Sequence, residues 1–193
     1  MKYLLILLWI LRSDVALSHE TNPRAELIIL LAAEEHNPTN RMKRLRDEVF
    51  KELKLERQHP FYFARLKRLM SSSVLGVAFH QTQTIIIDVS PFKDPKITDR
   101  AIKLTIAHEI VHAYGREGHN STMISMDQLI SNGDIYKYKI SFSILDRLIM
   151  ELLGVDKCPA SLMFPHGGYD KVCGPLMYEI YMNEAREAVK GKK

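Results

Sequence analysis

The order of segments in this chain predicts an α+β fold. Two short runs rich in Val, Ile and aromatic residues, Val74 to His80 and Thr84 to Val89, read as strands around the polar Gln81-Thr82-Gln83. Capped helical runs follow them, from Thr98 to Tyr114 and from Pro175 to Val189, so strands and helices are grouped instead of strictly alternating. With 193 residues and 46% hydrophobic content, the chain can bury one core without staples.

At the N-terminus, Lys2 precedes an apolar run from Tyr3 to Leu11, and Ala16-Leu17-Ser18 offers small residues where a signal peptidase reads. That run is too short to span a bilayer, and Arg12 and Asp14 end it. The expectation is a signal peptide over residues 1–18, one domain over 19–193, a secreted or periplasmic location and no membrane span once the signal is removed. Glu26 to Ala33 is apolar, and eight residues cannot separate strand from helix. After the turn at Asn37-Pro38-Thr39-Asn40, Met42, Leu45, Val49 and Leu53 recur at helical spacing, predicting an amphipathic helix from Arg41 to Leu55. His59-Pro60 breaks it, and Phe61-Tyr62-Phe63 reads as a short strand.

Thr98 is a suitable N-cap for the next helix and Asp99 suits its first turn, where the dipole favours an acid. Gly115 suits the left-handed position that ends it. Ser141 to Leu153, closed by Gly154, reads as a further helix, and Pro175 suits the first turn of the last one.

The formal charge is +4, and much of the excess lies between Arg41 and Arg68. Because apolar residues at helical spacing interleave with those charges, they read as a solvated helix face, and no nucleic-acid partner is expected. Cys158 and Cys173 are an even pair in a chain read as exported, which favours a disulfide. Closing such a loop contributes about 3 kcal/mol in the chain-entropy model.

The densest chemical information is His108-Glu-Ile-Val-His112. Four residues apart on a helix, the two imidazoles share a face and can grip one metal ion, for which neutral imidazole suits zinc. Glu109 is offset from the chelate, placed to accept a proton from metal-activated water as general base. Catalytic zinc takes three protein ligands and keeps one position open. The reversal that Gly115 permits points to His119 as the third ligand, with Glu117 the fallback carboxylate. Alone, His119 would read as a solvent-exposed loop histidine.

The stretch His108-Glu-Ile-Val-His112-Ala-Tyr-Gly115-Arg-Glu-Gly-His119 resembles the zinc signature of the metzincin metalloproteases, His-Glu-x-x-His-x-x-Gly-x-x-His. Ser161-Leu162-Met163-Phe164-Pro165 is similar to their Met-turn, particularly that of the matrix metalloproteinases, and Val74 to Phe79 with Thr84 to Asp88 to their edge strand and its neighbour. The resemblance covers about Val74 to Val189. It implies a small twisted mixed sheet, an active-site helix, a Met-turn and a C-terminal helix. It further implies one catalytic Zn2+, a peptide or protein substrate laid along the edge strand, and hydrolysis of a peptide bond by a monomer. Met163 would form the apolar floor beneath the imidazoles, with Met123 and Met126 as rivals, and Phe164, Pro165 and Tyr169 would wall the substrate pocket. A Tyr169 packed only in the core is the plain alternative.

Two departures stand out. One extra residue separates Gly115 from the third histidine, so Gly118 holds the family's ligand position, and more than forty residues lie between His119 and Met163. Two other readings compete: a zinc peptidase whose third ligand is a glutamate (Glu151, Glu179 or Glu184), and a binding protein with an inert zinc site. The glutamate class needs neither the glycine nor the Met-turn, and an inert site has no use for Glu109.

Overall fold

In the computed structural model, residues 36–55, 59–66, 74–116, 118–133, 155, 157–163 and 173–190 are described. Thr39 starts the first helix, α1 (Asn40–Glu52), by accepting a hydrogen bond from the Met42 amide while its own amide donates to the Met42 sulfur. Met42, Leu45, Val49 and Phe50 face inward, the apolar stripe that the spacing predicts. The helix stops short of the expected Leu55. Lys54 enters the left-handed region at φ 56°, and the amides of Lys54 and Leu55 bond back to the carbonyls of Lys51 and Phe50. This stop has no glycine to announce it.

Three strands form a mixed sheet: β1 (Phe61–Ala64), β2 (Gly76–Phe79) and β3 (Thr84–Asp88), in the order β1-β3-β2. β1 runs parallel to β3, and β2 runs antiparallel to it as a hairpin partner, with Phe79 opposite Thr84 and Gly76 opposite Ile87. All five residues of β3 are buried, which explains an unbroken Ile85-Ile86-Ile87 in place of alternation. β2 is an edge strand among the described residues.

Helix α2 (Asp99–Ala113) is capped by Thr98, whose hydroxyl accepts from the Ala101 amide at 3.2 Å. From Ile106 to Ala113 every residue is buried, so this helix is the central element, packed on α1, β2, β3 and the last helix. A second, two-stranded antiparallel sheet pairs β4 (Met123–Ser125) with β5 (Lys157–Pro159). Helix α3 (Met126–Ser131) begins directly after β4. The last helix, α4 (Cys173–Lys190), starts two residues before the Pro175 expected to open it. Cys158 and Cys173 are joined, tying β5 to the first residue of α4. Met177, Tyr181, Met182 and Ala185 of α4 complete the core with α1, α2 and one face of the sheet.

The architecture is thus α+β, with two small sheets and helices packed around α2. The signal segment 1–18, the run 26–33 and the helix expected over 141–153 lie outside the described residues, as do Glu117, Glu151, Phe164, Pro165 and Tyr169. No described helix is long and apolar enough to cross a membrane.

Candidate metal centre

The C-terminal end of α2 builds the site. Gly115 takes φ 86°; its amide bonds to the His112 carbonyl, and the Arg116 amide to that of Val111. This glycine-closed stop turns the chain back across the helix end. His119 thereby meets the face of α2 that carries His108 and His112.

The three imidazoles converge. His112 Nε2 lies 3.0 Å from His108 Nε2 and 3.2 Å from His119 Nε2. The three ligand atoms all fall within 4.8 Å of one another. The rings of His108 and His119 stack at 5.3 Å, and His112 stands edge-on to both. His108 and His112 are buried at the base of the site, whereas His119 is exposed.

Backbone carbonyls fix which nitrogen of the two buried rings carries the proton. His108 Nδ1 donates to the Leu162 carbonyl at 2.8 Å, and His112 Nδ1 donates to the Arg116 carbonyl at 2.7 Å. A neutral imidazole protonated on Nδ1 carries a lone pair on Nε2. These lone pairs therefore face one another across 3.0 Å, an arrangement that repels unless a cation sits between them. Nitrogens bound at about 2.0–2.1 Å to a tetrahedral zinc ion stand roughly 3.3 Å apart, close to the spacings here. The cluster could thus hold a metal ion.

Glu109 lies beside this cluster and is 8% exposed. Burial alone pushes its carboxyl up to about 8. Its side chain rests against Gly76 of the edge strand: a β-carbon there would meet Glu109 Cγ at 2.5 Å and Cδ and Oε1 at 2.8 Å. Nothing lies within 4 Å of the corresponding point at Gly118.

Met163 is fully buried, and its carbonyl accepts from the Asn120 amide at 2.9 Å, so the segment carrying it lies beside His119. Of its rivals, Met123 is 41% exposed in β4 and Met126 opens α3. Two glutamates offered as alternative ligands are turned elsewhere. Glu184 accepts from Ser161 Oγ and the Leu162 amide, both at 2.7 Å, and Glu179 is an exposed partner of Arg186. Sequence reasoning did not find the Leu162 and Arg116 carbonyls or the contact of Gly76 with Glu109. Every residue has a carbonyl, so no residue type marks the first two.

No family model, curated protein or solved structure matches this chain.

Proposed function

We propose that this chain is a zinc-dependent metalloendopeptidase of the metzincin, matrixin-like kind. The observation that carries the reading is the meeting of three imidazole Nε2 atoms, two with their lone pairs directed inward by backbone carbonyls, beside a buried glutamate. His108, His112 and His119 would hold the ion. The His119 ring lies 3.2 Å from His112 and stacks on His108, which supports its place in the ligand set despite the extra residue. A bound zinc supplies Lewis acidity, which polarises a carbonyl and lets water lose a proton near neutral pH.

The remaining steps belong to the chain. Glu109 accepts the proton of the attacking water and passes it to the leaving amine as the peptide bond breaks. Its buried side chain rests against Gly76 of the edge strand, which fixes where the carboxylate lies. Edge strand β2 offers its outer backbone groups to an extended peptide by strand addition. Buried Met163 supports the site from below, and Phe164, Pro165 and Tyr169 would wall the pocket behind it. The Cys158–Cys173 bond suits an oxidising compartment, in keeping with export.

The glutamate-ligand alternative is less well supported, because Glu184 is engaged by Ser161 and Leu162 and Glu179 by Arg186. The test is cleavage of a denatured protein by the purified, zinc-loaded chain. Cleavage that a chelator stops and added zinc restores supports the reading; a zinc-loaded chain that leaves the substrate intact rejects it.

A further inference from the structure

We propose that Glu184 of α4 is the positioning residue of the metal centre, holding in place the backbone that orients all three histidines. The inference rests on the metal reading above but concerns a residue outside the ligand set.

One carboxylate gathers three donors. Glu184 Oε2 accepts from the Leu162 amide at 2.7 Å, and Oε1 accepts from Ser161 Oγ at 2.7 Å and from Arg116 Nη1 at 2.5 Å. Two of these donors belong to residues whose carbonyls accept from the buried imidazoles: Leu162 receives His108 Nδ1 and Arg116 receives His112 Nδ1. The third donor leads to His119. Ser161 Oγ also accepts from the Met163 amide at 3.0 Å, and the Met163 carbonyl accepts from the amide of Asn120, next in the chain to His119. Removing this carboxylate would take one acceptor from the Leu162 amide, the Arg116 guanidinium and the Ser161 hydroxyl together.

The charge matters as well as the geometry. Glu184 polarises the Ser161 hydroxyl, which accepts from the Met163 amide, and that amide shares its peptide unit with the Leu162 carbonyl that accepts from His108. Acceptors behind metal-binding imidazoles fix the tautomer and raise the basicity of the ligating nitrogen, and their loss commonly costs roughly 10- to 100-fold in metal affinity. The sequence offers Glu184 as a possible ligand; its observed contacts make it the residue that sets the ligands.

The experiment compares wild type with Glu184→Gln, Glu184→Ala and Arg116→Ala. Glu187→Gln serves as an exposed control one turn away, and Val189→Ala as a control for loss of packing in the same helix. Zinc affinity is measured by chelator competition, and the histidine tautomers by long-range proton–nitrogen NMR of the metal-free chain. The expected result is zinc affinity lower by roughly 10- to 100-fold in Glu184→Gln. His108 and His112 should lose their uniform Nδ1–H form in the Glu184 variants, while both controls remain like wild type. Glu184→Gln with wild-type affinity and wild-type tautomers would overturn the proposal, as would an equal loss of affinity in Val189→Ala. A wild type that binds no zinc would reject the metal reading alone, and the tautomers would still decide the role of Glu184.

Discussion

The two ends of α2 are held by different means. At its N-terminal end, Asp99 meets Arg41 at 2.7 Å and Arg44 at 2.6 Å, and Lys103 meets Glu52 at 2.7 Å and Glu48 at 3.2 Å. Tyr178 also donates to Glu52. These are charges at or near the surface, several to each partner, so losing one leaves others. At the C-terminal end, His108, Glu109 and His112 are buried, and each has a specific neighbour: the Leu162 carbonyl, Gly76 or the Arg116 carbonyl. Redundant surface pairing tolerates change; buried polar groups with dedicated partners do not. One end of the helix anchors the fold, and the other carries the candidate metal centre.

The largest expected effect lies at the buried end. His119→Ala should weaken zinc binding by roughly two orders of magnitude or more, because two histidines leave the ion largely solvated. Competition with a chelator measures this, and unchanged affinity would remove His119 from the site. Next comes the bond that ties β5 to α4. Replacing both Cys158 and Cys173 by Ser should lower unfolding free energy by about 3 kcal/mol, read from denaturant midpoints with the fold intact.

A third change separates positioning from binding. Gly76→Ala should push the Glu109 carboxyl away from the edge strand and lower turnover roughly 100-fold, since such displacements of about 1 Å can cost that much. Zinc content should stay at the wild-type level. Turnover like wild type would mean that Glu109 works from another position.

The smallest effect belongs to the charged end. Arg44→Ala should lower stability only slightly at neutral pH, as expected of an exposed pair that solvent screens. The hydrogen bond from Arg44, joined by that from Arg41, holds Asp99 below the usual carboxylate range. A carboxyl depressed in the folded state contributes stability above its unfolded pKa and loses it as pH falls through the folded value. The difference between wild type and Arg44→Ala should therefore shrink on acidification through that range, as urea titrations at several pH values would reveal.

The same division governs what the sequence made legible. Helix α2, its Thr98 cap and its Gly115 stop follow local rules, and they stand within a residue of expectation. The strands β2 and β3 and the inward stripe of α1 also follow local rules, although β2 starts two residues later than expected. The pair β4 and β5 was not foreseen: three residues each are too few for an alternation pattern, and their partners lie more than thirty residues apart in the chain. The parallel pairing of β1 with β3 is also long-range, joining residues more than twenty positions apart. At the site, residue type and spacing singled out His108, Glu109, His112 and His119. Their orientation depends on carbonyls and on a glycine's missing side chain, which only the folded chain brings together.

In the proposed mechanism, three histidines hold the metal while Glu109 moves the proton. Zinc content and hydrolysis of a denatured protein, measured together on Glu109→Gln, test it most directly. The substitution removes the base and no ligand, so the expected result is about one bound zinc per chain with hydrolysis abolished. A zinc-loaded Glu109→Gln that cleaves at the wild-type rate would remove Glu109 from the proton transfer.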